Sequence, residues 1–483
     1  MSAADSGPLV PGLQGNLAAA ARSSALVQAM GDMTTSLGTG MDATRGFLSR
    51  LDAVSLVLLA VTLAAFLIPI FILFPPVPVD RSDALRQTHS RVGLSPARSN
   101  LREQFSPEHQ AREGRAPRVQ GLYVYPVKSC RGIELQRSRV LPTGLEFDRL
   151  YTFAHLKPPA TAADEATNKA GPVWEFLTQR QLPLLANVKV NLWVPDPSKA
   201  SRQLGKVDGT FLVARFPWTD GGLRGLAQLV SAKMSRGLQA VPEKEFMLPM
   251  SFPSSEEIKA RGYSFANVKI WKDITTALNM EKELPSELAR YLGAKHRLGI
   301  FRMDPSRQRE VFRCAQPKHV LGYQPVVDFQ DAYPLHMLSL SSMQALDTQV
   351  VKDDTMKNLD VRRFRGNIII SGNEEYDEDN WKAIHLKHGT TKQECHFDVA
   401  CRTVRCKMPN VDPDTGIRHK AEPDRVMRKF RDVDEGAPKM GCLGMQLCPM
   451  FPDASVPDEL QAYIEVGMDI GVVQRGHHVY IGQ

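Results

Sequence analysis

A chain of 483 residues has room for two or three domains, and 43% hydrophobic content is that of an ordinary globular protein. Lys+Arg 60 against Asp+Glu 53 leaves a formal charge of +7, with no basic run interleaved with aromatic residues, so a nucleic-acid scaffold is excluded. Seven cysteines, an odd number without a C-x-x-C pair, exclude a disulfide framework and indicate free thiols in a reducing setting.

Residues 1–52 are rich in Ala, Ser, Gly, Met and Leu and read as a disordered tail. Arg22 is the only basic residue before Arg45, while Asp5, Asp32 and Asp42 argue against a transit peptide. Residues 53–74 carry no charge and are long enough to cross a bilayer core, which takes about 20 residues. The run is too long, and too far from the start, for a cleavable signal, so one transmembrane helix is expected there. Arg81, Arg86, Arg91, Arg98 and Arg102 follow it, against Arg45 and Arg50 ahead. That positive-inside bias places the large C-terminal portion in the cytosol. The Pro-, Ser- and Arg-containing stretch 75–118 lacks an apolar period and reads as a flexible linker.

The folded part begins at Val119. Residues 120–127 alternate as a strand, and β-prone runs recur at 149–154, 187–193, 210–215 and 267–271 between turn residues. A loop excursion is expected over 157–171. Pro285-Ser286 opens a short helix that Gly293 ends; 341–351 is another, and 423–431 is a third with proline in its first turn. Residues 367–371, 462–466 and 478–481 read as strands. The expected class is mostly β with α, in two domains over 119–310 and 311–483, with neither a G-x-G-x-x-G motif nor a P-loop.

The chemistry centres on Cys401-Arg402-Thr403-Val404-Arg405-Cys406, followed by Asp412-Pro413-Asp414-Thr415-Gly416. The proline and the glycine make the second stretch a chain reversal, which leaves Arg405-Cys406 at a strand end. A thiolate is a soft metal ligand, a neighbouring cation favours its ionised form, and an arginine can grip phosphate bidentately. Cys401, Cys406, Cys442 and Cys448 are too loosely spaced for a zinc or iron–sulfur set. Lys128-Ser129, Gln179-Arg180-Gln181 and Arg363-Phe364-Arg365-Gly366-Asn367 are candidate anion sites, although each alone reads as a solvated face. Asp331 alone reads as a cap or turn former.

Taken together these segments resemble a known family. Tyr125-Pro126-Val127-Lys128-Ser129-Cys130-Arg131-Gly132 resembles the opening motif of the MOSC N-terminal β-barrel domain. Phe364-Arg365-Gly366-Asn367-Ile368 and Arg405-Cys406 with Val411-Asp412-Pro413-Asp414-Thr415-Gly416 resemble the MOSC β-barrel domain itself, and the apolar stretch ahead points to the amidoxime-reducing branch. The resemblance implies a molybdenum cofactor whose metal takes one protein thiolate, which motif matching places at Cys406. It implies that Lys128, Ser129, Arg180, Arg365, Asn367 and Arg405 hold the phosphate and pterin, and that Asp331 stands near the open face of the metal as a proton relay. It further implies reduction of amidoximes and hydroxylamines, with electrons from cytochrome b5 and its NADH-dependent reductase, at the mitochondrial outer membrane or alternatively the endoplasmic reticulum. A rival in the same family is a cofactor carrier or sulfur-handling protein without turnover. Nothing ahead of these domains resembles a pyridoxal-phosphate enzyme, so that cofactor is not expected.

Overall fold

The computed structural model describes residues 52–73, 81–157, 173–199, 208–389, 394–454 and 456–482. The tail expected over 1–52, save Asp52, and the loop excursion expected over 157–171, save Lys157, lie outside them. The chain divides into two compact units, Met1–Pro78 and Val79–Gln483.

In the first unit, Ala53–Leu73 is an uncharged helix of 21 residues with Pro69 near its end. Its side chains are described only as far as Pro69. Among the described residues no helix is long and apolar enough to cross a membrane.

The second unit is built on two closed sheets. In one, the strands Ile368–Ser371, Leu335–Ser339, Cys442–Met450, Glu394–Val404, Trp381–Lys387, Asp469–Arg475 and Arg118–Val124 pair in that order, and the first pairs with the last to close the ring. The register of the closing pair places Ile368 opposite Leu122 and Ile369 opposite Gly121. The second ring runs Ser264–Ile270, Asp273–Asn279, Arg297–Met303, Tyr151–Leu156, Trp174–Phe176, closed by a parallel pairing of Val268 with Trp174. A four-stranded antiparallel sheet, His89–Val92, Lys189–Pro195, Phe211–Pro217 and Glu243–Pro249, stands beside them. Closure removes the unpaired edges that an open sheet would expose. The mostly-β reading is therefore correct.

Two expectations about domain limits fail. The stretch 75–118 is no free tether over its described part: His89–Val92 pairs with Lys189–Pro195, Leu85 and Leu101 are buried, and the His89 ring bonds to Thr88 and to Gly209 O. Backbone pairing needs no apolar period, so the sequence carried no sign of it. Nor does the chain part cleanly near 310. Arg118–Val124 belongs to the C-terminal ring, and one apolar cluster runs through Leu122, Phe153, Leu192, Ile300, Ile368, Phe397 and Ile470.

The short elements hold to within a few residues. Ser286–Leu292 is a helix closed by Gly293 at φ 69, and Leu340–Asp347 and Asp424–Phe430 are helices. The strand expected at 478–481 does not form. His478 is instead buried, with its ring bonded to Trp381 O (2.8 Å) and Ala400 O (3.2 Å), so that segment is pinned by a side chain. The helix Gly222–Arg236 was not anticipated.

Candidate functional site

The two rings meet at one cavity, and the groups around it come from strand ends. Lys128 and Ser129 follow Arg118–Val124, Arg149 precedes Tyr151–Leu156, and Thr178 and Arg180 follow Trp174–Phe176. Trp271 sits in the turn between Ser264–Ile270 and Asp273–Asn279, Arg365 precedes Ile368–Ser371, and Cys406 and Met408 follow Glu394–Val404. Asp331 completes the lining. The cavity, partly open to solvent, holds about 30 Å³, and it shares Arg365 with a groove of about 1140 Å³ that Tyr125, Arg131 and Gln179 also line.

The backbone at this junction is unusual. Ser129 (φ 68), Arg149 (φ 51), Trp271 (φ 56) and Arg365 (φ 56) are all in the left-handed region. A side-chain-bearing residue there costs about 1–2 kcal/mol, and such residues persist where the surroundings over-determine them, commonly at ligand sites. Eight described non-glycine residues share that conformation in the whole chain, and half of them line this one cavity. The sequence gives no hint of this clustering.

Hydrogen bonds show how the fold enforces it. Tyr125 N donates to Asp148 Oδ1 (2.8 Å), and Lys128 N donates to Tyr151 O (2.8 Å), which lashes the Tyr125–Cys130 stretch to the neighbouring strand. The Arg149 guanidinium is ion-paired with Asp148 and donates to Asn367 Oδ1 (3.1 Å) and Arg365 O (3.0 Å). Arg149 and Arg365 both lie on the Tyr125 ring, at 4.8 and 4.1 Å from its centroid. Arg365 Nη1 donates to Cys130 O (2.7 Å), while its Nη2 is buried with no hydrogen-bond partner. Burial pulls the Arg365 guanidinium down to about 10, so it remains charged at neutral pH. Arg180 stacks on Trp271 at 4.3 Å and donates from Nε to Thr178 Oγ1 (3.2 Å).

Lys128 is buried, and its ammonium donates to Phe329 O (2.6 Å) and Asp331 Oδ1 (2.7 Å). Burial pulls it down to about 8, against the upward pull of Asp331. Asp331 Oδ1 also accepts from Trp271 Nε1 (3.0 Å). Burial pushes the Asp331 carboxyl up, but the Lys128 charge, its hydrogen bond and that of Trp271 prevail and hold it well below the usual carboxylate range. Asp331 is therefore held as a carboxylate by Lys128 and Trp271 at neutral pH.

Of the sequence-expected residues, Cys406, Lys128, Ser129, Arg180, Arg365 and Asp331 converge on the cavity. Asn367 and Arg405 do not line it and stand one layer behind. Asn367 Oδ1 accepts from Arg149 and from His336 N (3.2 Å), and its Nδ2 donates to Tyr123 O (3.1 Å). Arg405 Nη2 donates to Phe364 O (2.8 Å), and Arg405 Nη1 lies 3.5 Å from His336 Nε2. Burial and the charges of Arg405 and Arg149 hold that imidazole well below its ordinary range, so it is neutral and can accept.

Cys406 is half-buried, whereas Cys401 and Cys442 are fully buried away from the cavity. The strand before it ends at Val404, as expected, and the reversal after it is real. Asp412 Oδ1 accepts from Asp414 N (3.0 Å) and Thr415 N (2.9 Å), Gly416 takes φ 71, and Val411 pairs with Arg418. The same Asp412 holds Arg363 through an ion pair at 2.6 Å. Arg149, Thr178, Trp271 and Met408 were missed from sequence. Only Arg149, beside an aspartate at a strand start, offered a signal.

Comparison with known proteins agrees with this architecture. The MOSC N-terminal beta barrel domain matches residues 116–205, and the MOSC domain matches 324–470. The human mitochondrial amidoxime-reducing component 1 is 25% identical over 332 residues, covering 67% of this chain and 74% of its own length. The rat mitochondrial amidoxime reducing component 2 is 21% identical over 336 residues (69% and 77%). The mouse component 1 is 22% identical over 331 residues (68% and 75%).

Proposed function

We infer, for a chain that carries both MOSC domains, that it is an oxidoreductase reducing N-hydroxylated compounds such as amidoximes and hydroxylamines at a molybdenum cofactor. The observation that carries this reading is the meeting of one half-buried thiol, Cys406, with Lys128, Ser129, Arg149, Arg180 and Arg365 around one cavity.

The residues fit such a group. Arg365 Nη2, buried and without a partner, is a donor awaiting an acceptor, and unmet buried donors cost about 1–3 kcal/mol. The cavity is lined by Cys406, and the groove that shares Arg365 with it offers room for a larger anionic body. Cys406 Sγ would be the single soft ligand. The guanidinium groups of Arg365 and Arg180, the Lys128 ammonium and the Ser129 hydroxyl would hold the anionic tail without a helix N-terminus. When bound, the molybdenum cofactor supplies a two-electron reduction in which the substrate oxygen leaves as water.

The chain's own groups have distinct tasks in that reaction. Asp331, fixed as a carboxylate, orients Lys128 and Trp271 at the rim. Lys128 Nζ, pulled down to about 8, holds the exchangeable proton that faces the cavity. Asn367 aims Arg149, and Arg405 steadies the turn that ends in Cys406. Electrons would come from cytochrome b5 and its NADH-dependent reductase, because no haem, flavin or nicotinamide motif is visible in the sequence. The uncharged residues 53–74 would anchor the chain in the mitochondrial outer membrane, or alternatively the endoplasmic reticulum, with the catalytic part in the cytosol.

The test is to purify the full chain, measure molybdenum, and supply an amidoxime with a chemical reductant. Cys406→Ala should lose both metal and turnover, while Cys401→Ala and Cys442→Ala keep both. Molybdenum without turnover would overturn the reductase in favour of a cofactor carrier.

A further inference from the structure

Leu223, Leu226, Val230 and Met234 recur along the helix Gly222–Arg236 at intervals of three and four, so they form one stripe. On a globular protein such a stripe ordinarily faces inward. Here it faces out: Leu223 is 87% exposed and Met234 76%, with Leu226 and Val230 also exposed. On the inward side Gly225 and Ala232 are buried and Leu229 is half-buried. A Cβ on Gly225 would stand 1.9 Å from Asp220 O, so the turn leading into the helix admits nothing larger there. The chain continues the apolar surface past the helix, with Leu238 83% exposed and Val241 exposed. Single exposed apolar residues need no explanation, but six contiguous ones mark an interaction surface.

The charges around the stripe have one sign in excess. The helix contains no acidic residue, and helical geometry sets Arg224 and Lys233 about a quarter turn to either side of the apolar line. Arg224 is paired with Asp220 (3.2 Å), and Arg236 and Lys189 share Glu243 (3.0 and 2.6 Å). Lys233 donates to Leu238 O (2.9 Å). Four cations thus border the patch against two carboxylates.

We propose that Gly222–Arg236, with Leu238 and Val241, lies flat on an anionic lipid surface, its apolar stripe among the acyl chains and Arg224 and Lys233 at the headgroups. An outward apolar face with basic edges is the composition of an interfacial helix. A second copy docked on this face would set like charges against each other, which argues for lipid over self-association. The contact is separate from the anchor assigned to residues 53–74.

The test uses the full chain with a polarity-sensitive fluorescent amino acid in place of Met234, in nanodiscs of phosphatidylcholine with or without phosphatidylserine. In serine-lipid discs the emission should shift to the blue and be quenched by brominated acyl chains. It should remain water-like in neutral discs and after Arg224→Glu with Lys233→Glu. Equal emission in both lipids would overturn the proposal. So would a blue shift without lipid that grows with protein concentration, which would assign the face to a second copy. Resistance to alkaline extraction reads the anchor independently, so failure of one reading is distinguishable from failure of the other.

Discussion

Lys128 Nζ stands 2.7 Å from Asp331 Oδ1, with the lysine side chain 6% exposed and the aspartate side chain 49% exposed. The pair is therefore lopsided: the cation is sealed in the protein and the anion meets the solvent of the cavity. Breaking a buried pair typically costs about 3–5 kcal/mol, and exposed pairs about 0–1 kcal/mol. For Asp331→Ala we expect an intermediate loss of about 1–3 kcal/mol in urea unfolding, since Phe329 O remains as a partner for the ammonium. An unchanged midpoint would mean that the two charges are independent.

Retention of the cofactor should depend on pH in one direction. Lys128 is pulled down to about 8, so raising the pH through that value removes a positive charge from the cavity wall and weakens its grip on an anion. Below about 7 the ammonium is intact and the grip is full. Molybdenum content after dialysis should fall on going from pH 6.5 to 9, and Lys128→Met should flatten that profile at its lower level. A profile that survives in the Lys128→Met variant would place the titrating group elsewhere.

Thiol reactivity should separate the seven cysteines. Cys314 and Cys406 are half-buried and the other five are buried. Brief iodoacetamide treatment of the native chain should modify only these two, by mass spectrometry, and loading with cofactor should protect Cys406 alone. Labelling of Cys401 before unfolding would contradict the burial that excludes it as a ligand.

Asn367 should behave as a brace and not as a contact. Asn367→Ala leaves His336 N and Tyr123 O each short of a buried partner, at about 1–3 kcal/mol for such a loss, while Arg149 Nη1 keeps Asp148. Thermal unfolding should register that cost. Turnover should fall through metal loss, with activity per bound molybdenum nearly unchanged.

The reversal after Cys406 depends on a left-handed glycine. Gly416→Ala meets both the positive φ of 71 and a contact of 3.1 Å to Pro183 O, so a loss of about 1–2 kcal/mol is expected. Chemical denaturation is the measurement, and a neutral result would show that the turn relaxes freely.

Much of the site was legible because its residue types are chemically selective and fall in short motifs. A thiol beside an arginine before Asp412-Pro413-Asp414-Thr415-Gly416, and Lys128-Ser129 after a strand, stand out at that level. Trp271 and Arg149 did not, because their roles come from left-handed backbone and from packing between distant segments. Asn367 and Arg405 stand behind the cavity wall, and sequence cannot tell the lining from the layer behind it. The strand His89–Val92 escaped notice because edge pairing is written in backbone bonds. The helix Gly222–Arg236 escaped because glycines at 222 and 225 weaken the helix signal of its first turns.

Arg118–Val124 closes the C-terminal ring against Ile368–Ser371 and touches Asp469 at its other edge. During synthesis the first strand of this ring gains Ile133–Leu135 along part of one edge early, but must wait about 240 residues for its partner on the other. Until the ribosome has made residue 371 or so, the edge that meets Ile368–Ser371 stays open, and a nascent chain stalled earlier is a template for pairing with its neighbours.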